Sequence, residues 1–178
     1  AGFEFADQAR TSGLPKEFAS SVENGVLEAM DVGILAGFPL ADVRVTLLEG
    51  GFREDDSTPL AFKIAGALAF KEAAVKASPA LLEPVMKLEV TVPDDYLGDV
   101  VGDINARRGR VEGMEMRAGA RVVKAFAPLA ELFGYATILR TLTQGRGGFS
   151  MEFFRYEQAP PAVAEEIIAR IEGRIPAY

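Results

Sequence analysis

The succession of hydrophobic periods between Leu88 and Phe153 leaves few folds open. Leu88, Val90 and Val92 alternate with Lys87, Glu89 and Thr91, the two-residue period of a half-buried strand. Pro93-Asp94-Asp95 then opens a helix with acids at its positive end. Leu97, Val100, Val101 and Ile104 recur along it at i, i+3, i+4 and i+7. Arg107-Arg108-Gly109 closes it with cations and a glycine stop. Residues 110–116 and 121–127 predict a hairpin around Ala118-Gly119. Pro128 starts a second predicted helix, with Leu129, Leu132, Phe133 and Ala136 on its buried face. Phe149, Met151 and Phe153 alternate in a last strand. The order is βαββαβ, two split βαβ units sharing one sheet.

That order predicts a ferredoxin-like domain, followed by a helix from about Pro161 that carries Val163, Ile167 and Ile171. The first half predicts a different, mixed α/β unit. Pro15 starts a helix with Phe18, Val22 and Val26 on one face, and Asp42–Leu47 alternates as a strand. Gly50-Gly51 ends the strand and opens the charged loop Phe52-Arg53-Glu54-Asp55-Asp56. Thr58 is the N-cap of a helix with Pro59 in its first turn and Leu60, Ile64 and Leu68 on one side. The stretch Lys76–Ala80, with Pro79, is the expected boundary, so the fold class is α+β in two domains, 1–78 and 80–178.

Composition then removes whole classes of function. With no cysteine and no histidine, the chain has no thiol nucleophile, no disulfide frame and no Ser-His-Asp or Cys-His site. No catalytic residue, cofactor site or metal site is expected on it. No apolar run reaches the roughly 18 residues of a membrane span, and the acid-bearing start is not a signal peptide. The missing initiator Met suggests a fragment. The net charge of −7 opposes sequence-blind binding along nucleic acid. Its distribution is uneven: residues 1–79 hold 7 basic and 12 acidic side chains, and residues 80–178 hold 12 and 14. Arg107, Arg108, Arg110, Arg117, Arg121 and Lys124 form a local basic excess, so any RNA contact is expected to be local.

There is no phosphate loop of the G-x-x-x-x-G-K-[ST] type. The glycine-rich stretch Thr143–Gly148 precedes a strand, whereas phosphate loops follow a strand and open a helix. Its ordinary role is a turn; its functional role would be a backbone loop close to RNA phosphate, with Arg146 as the charge. Glu54-Asp55-Asp56 lacks the spacing of a calcium loop and is expected to be a solvated tip, with Asp56 or Ser57 helping to cap the helix. Arg107-Arg108 and Gln144 have helix-end and turn roles as their default.

Together these stretches resemble elongation factor G. The resemblance is carried by Leu14-Pro15-Lys16-Glu17-Phe18, Gly37-Phe38-Pro39-Leu40, Asp56-Ser57, Ala61-Phe62-Lys63-Ile64-Ala65-Gly66 and Leu82-Glu83-Pro84-Val85-Met86. It continues through Gly98–Gly109, Pro128–Thr137 and Leu139–Gly147, in family order across nearly the whole chain. The resemblance implies that residues 1–78 match the family's fourth domain, a βα fold of ribosomal-protein type lacking its first strand, and that 80–158 match the ferredoxin-like fifth. It further implies a cytoplasmic partner of the ribosome that promotes movement of tRNA and mRNA. GTP and Mg²⁺ would be bound by a GTPase domain upstream. The decoding-region tip would be Thr11, Ser12, Gly13, Arg53, Glu54, Asp55 and Asp56, and the ribosomal RNA contacts Arg107, Arg108, Gln144 and Arg146. Two positions depart from the family pattern: Thr11 and Ser12 replace a glycine pair, and Arg53 replaces a histidine. They leave a ribosome-recycling or ribosome-protection paralogue as the alternative. From other classes, a small-molecule-binding regulatory ferredoxin-like protein and a small hydrolase are the competing readings.

Overall fold

The computed structural model describes residues 2–9 and 13–174. They fall into two compact units, one comprising the residues up to Ala80 with those from Pro161 onward, the other Leu81–Pro160.

In the first unit, strand β1 (Glu4–Asp7) pairs in parallel with β2 (Arg44–Leu47), Glu4 opposite Arg44 and Asp7 opposite Leu47. Helix α1 (Lys16–Val32) lies between them in sequence and α2 (Pro59–Lys76) follows. β1 has no counterpart in the sequence reading: four residues with an acid at each end are too short to display a period. α1 buries the expected Phe18, Val22 and Val26, with Ala19, Ala29 and Met30 beside them. α1 and α2 touch backbone to backbone. A Cβ on Gly25 would lie 2.0 Å from the Lys63 carbonyl oxygen, and one on Gly66 would lie 2.9 Å from Val22 Cα, so both crossing points require glycine. Thr58 caps α2 as expected, its Oγ1 accepting from the Ala61 amide at 3.2 Å, with Pro59 next. Ser57 serves elsewhere, as described below. Leu60, Ile64 and Leu68 form the outer side of α2, between 52% and 64% exposed, because the close crossing consumes the Gly66 side and Phe70. Two strands cannot cover two helices, and an open apolar recess of about 670 Å³ remains, lined by Phe5, Val45, Leu47, Phe62, Ala69 and Phe70. The last helix, α5 (Pro161–Ile171), begins at the proline expected from the sequence and is grouped with this unit.

The second unit is the βαββαβ domain. Strand β3 (Leu82–Val92) leads through a 3₁₀ turn (Asp94–Tyr96) to α3 (Leu97–Ala106), then β4 (Arg110–Arg117) and β5 (Ala120–Pro128). A second 3₁₀ turn (Leu129–Leu132), α4 (Tyr135–Leu142) and β6 (Gly148–Gln158) complete it. The sheet is antiparallel in the order β4-β5-β3-β6, the ferredoxin-like order. Ala118 and Gly119 turn the hairpin with φ of 51° and 81°, the two left-handed residues that a tight hairpin needs. Leu88, Val90 and Val92 pack with Val100, Ile104, Val123, Ala125 and Leu139 beneath the helices. The second helix differs from expectation. Gly134, at φ 74°, breaks the chain after the 3₁₀ turn and resets the helical phase. Phe133 is therefore 79% exposed, and Tyr135 takes the buried place at 1%.

Candidate nucleic-acid interface

The basic excess that runs through residues 107–124 is almost wholly neutralised by the fold. At the end of α3, Arg108 takes the left-handed conformation (φ 57°), and the Gly109 amide returns to the Ile104 carbonyl at 2.9 Å. Glycine is needed at 109 for clearance, since a Cβ would lie 2.5 Å from that carbonyl oxygen. The turn aims Arg108 inward. Its Nη1 and Nη2 donate to both oxygens of Glu83 at 2.7 and 2.8 Å, and Nε donates to Glu131 at 3.0 Å. The forked bond to Glu83 raises the guanidinium above its ordinary range, burial opposes this, and Glu131 adds to it. Arg107 donates from Nε to Asp103 at 2.7 Å and from Nη1 to the Glu131 carbonyl at 2.6 Å, and it lies over the Tyr135 ring. Both arginines, expected at RNA, are thus held by carboxylates of their own unit. Tyr135 is fully buried and its hydroxyl has no partner; burial foremost, then Asp103, pushes its pKa up to about 12, against a lowering by Arg107.

The sheet shows the same balance. Arg117 bonds Glu89 and Glu115, Lys124 bonds Glu115, Arg121 bonds Asp94, and Lys87 pairs with Glu152. Glu115 is held below the ordinary carboxylate range by Lys124 first and Arg117 second. Among the described residues of this unit, Arg110, Arg140 and Arg146 have no carboxylate partner, and Arg110 lies over Phe126.

Arg140 and Arg146 flank one loop. α4 is capped at its C-terminus by Thr143, which is fully buried; its Oγ1 donates to the Leu139 carbonyl at 2.7 Å and accepts from the Gly147 amide at 2.8 Å. Gln144 and Gly145 are left-handed, at φ 51° and 80°, and the Gly145 amide reaches the Arg140 carbonyl at 2.8 Å. A Cβ on Gly147 would come within 2.7 Å of Thr143 Oγ1, so the second glycine of the stretch is required by contact. The glycine-rich stretch is therefore a pinned loop. Arg146 projects from it with its guanidinium 5.3 Å from the Tyr96 ring centroid, and Nη2 donates to the Tyr96 hydroxyl at 2.9 Å. Gln144 Oε1 lies at 3.5 Å from the same nitrogen, a marginal bond. Sequence reasoning missed Tyr96, which lies fifty residues away with no local signal. It also missed Arg140, although that residue has no acid at i±4, the cue to an unpaired cation on a helix.

In the first unit, the residues that follow Gly13 lie beside those that open the second expected tip loop. A Cβ on Gly50 would touch Leu14 at 3.2 Å, and the rings of Phe18 and Phe52 are 5.9 Å apart. Gly13 is left-handed at φ 87° with open space around it. Arg53, Glu54, Asp55 and Asp56 are all exposed, in a turn closed by Ser57, whose Oγ accepts from the Arg53 amide at 2.9 Å and whose amide returns to the Arg53 carbonyl at 3.1 Å. One cation against three acids leaves this turn at −2. Thr11 and Ser12 lie outside the described residues. Among the described residues, no group of three or more acids could hold a metal ion, and no helix is long and apolar enough to cross a membrane.

Comparison with known proteins gives two adjoining family matches. Residues 1–78 match the family model for elongation factor G, domain IV, and residues 80–167 match that for the elongation factor G C-terminus. A crystal structure of a protein from Thermus thermophilus superposes with a TM-score of 0.85 at 38% identity, over 97% of this chain and 26% of that one. The chain thus spans about a quarter of the length of the solved protein it matches.

Proposed function

The chain belongs to the elongation factor G family, and on that premise we propose that it is the ribosome-contacting end of a translational GTPase that moves tRNA and mRNA. The observation that carries this reading is the succession of the two domain matches, in family order, over nearly the whole sequence. In this reading the chain performs no chemistry. GTP and Mg²⁺ are bound elsewhere in the longer protein, which works in the cytoplasm. The first unit presents Thr11, Ser12, Gly13 and Arg53–Asp56 to tRNA and mRNA in the decoding region. The second unit meets ribosomal RNA through Gln144, Arg146 and the neighbouring Arg140. Arg107 and Arg108 are assigned to the scaffold, because a phosphate would have to compete with carboxylates already in place.

Arg53 also favours a second reading, a recycling or ribosome-protection paralogue. A permanent planar cation stands where the family resemblance places a titratable ring, at the expected tip. Single-turnover translocation and subunit-splitting rates of the longer protein, with Arg53 and with Arg53→His, separate the two jobs. The general reading is tested by sedimenting the 178-residue chain with ribosomes and by titrating it with GTP in Mg²⁺ buffer. Saturable ribosome binding without GTP binding is the expected result. GTP affinity, or no ribosome binding, would overturn it.

A further inference from the structure

We infer that Tyr96 is a positioning residue of the RNA-contact site, holding the Arg146 guanidinium ready for a phosphate. The inference rests on the reading that this loop meets ribosomal RNA. A free arginine side chain carries considerable rotamer entropy, part of which is lost when it binds. Tyr96 removes that freedom beforehand with two contacts on one guanidinium: the ring beneath it at 5.3 Å from the centroid, and the hydroxyl accepting from Nη2 at 2.9 Å. The platform itself is fixed. Tyr96 ends the 3₁₀ turn that leads into α3, and its ring packs on the core cluster of the unit. The opposite side of the contact is fixed too, since Thr143 and Gly147 clamp the loop that carries Arg146.

The two acids that precede Tyr96 in the chain do not pair with the guanidinium. Asp94 is taken by Arg121 at 2.6 Å, and Asp95 makes no ion pair with Arg146 among the described residues. Tyr96 therefore orients the charge without neutralising it. This is what distinguishes Arg146 from Arg108, which is oriented by carboxylates that also neutralise it.

A double-mutant cycle on the 178-residue chain tests this, with purified large ribosomal subunits as the probe. Tyr96→Phe keeps the ring and removes the hydroxyl. It is expected to weaken binding about threefold while Arg146 is present, and to change it by less than about 1.5-fold on the Arg146→Ala background. The salt slope is expected to stay that of the parent chain in Tyr96→Phe, because the charge remains, and to fall in Arg146→Ala. A ligand-free arm measures the NMR order parameter of the Arg146 Nε–H bond, which is expected to drop in Tyr96→Phe. Equal losses in both backgrounds, or an unchanged order parameter, would overturn the inference while leaving ribosome binding standing. Failure of the parent chain to bind large subunits would overturn the RNA reading, and the inference with it.

Discussion

Replacing Tyr135 by Phe removes one oxygen from the interior and should not weaken the protein at neutral pH. The hydroxyl is buried with no hydrogen-bond partner. A buried, unsatisfied polar group costs about 1–3 kcal/mol, whereas losing a well-made hydrogen bond costs about 1 kcal/mol. The void left behind offsets part of the gain, so the expected change at pH 7 lies between zero and about 1 kcal/mol of added stability. Alkaline pH enlarges the difference. The folded-state pKa is pushed from 10.0 to about 12, chiefly by burial, so the neutral form is favoured in the native state. Above pH 10 the unfolded chain releases this proton and the folded one does not. Stability is therefore complete below about pH 10 and falls as pH rises through about 12. Displacement by two units is worth roughly 2–3 kcal/mol. Urea unfolding of both proteins, followed by circular dichroism at pH 7, 9 and 11, separates this from lysine titration, which both proteins share. A loss above about 1 kcal/mol at pH 7 would mean that the hydroxyl has a partner. Parallel pH profiles would mean that it is not desolvated.

Gly25→Ala places a methyl group 2.0 Å from the Lys63 carbonyl oxygen; it should cost the first unit roughly 3 kcal/mol in urea unfolding, since neither helix backbone can yield cheaply. Arg108→Ala strands Glu83, which is 8% exposed, beside Glu131; it should cost about 3 kcal/mol of stability yet leave the salt slope of ribosome binding unchanged, and a reduced slope would return Arg108 to the RNA site. Arg53→Ala should keep the unfolding midpoint, within about 0.5 kcal/mol, because the side chain is exposed and the turn is closed by Ser57 through backbone groups; in the longer protein it should slow single-turnover translocation or splitting.

Period and capping chemistry carried most of the fold. The strand at Leu88–Val92, the Val100/Ile104 face, the Ala118-Gly119 turn and the Thr58 cap are all local signals, and all are in the structure. What escaped depends on the third dimension. β1 is defined only by its parallel partner forty residues on. Leu60, Ile64 and Leu68 were legible as one side of a helix, but nothing local reveals that this side faces outward because Gly66 lets the helices meet on another. The Gly134 break moved burial from Phe133 to Tyr135, a phase shift that a single left-handed residue imposes. At the interface, sequence counting saw a basic cluster, but counting cannot pair charges. Glu83 and Glu131 lie 25 and 23 residues from Arg108 and neutralise it only after folding. Arg146 was legible as a charge on a glycine-rich loop, but its seat on Tyr96 was not.

Everything proposed for the second unit turns on whether it binds the ribosome through the few cations its fold leaves unpaired. That is read from the affinity of the 178-residue chain for large ribosomal subunits across a salt series, for the parent chain and for the double variant Arg140→Ala/Arg146→Ala. Saturable binding is expected, with a log–log salt slope that falls by roughly 0.7 for each phosphate no longer neutralised and an unmoved unfolding midpoint of the second unit. Saturable binding with the same slope in both proteins would contradict the site, and no saturable binding at any salt would contradict ribosome binding by this chain altogether.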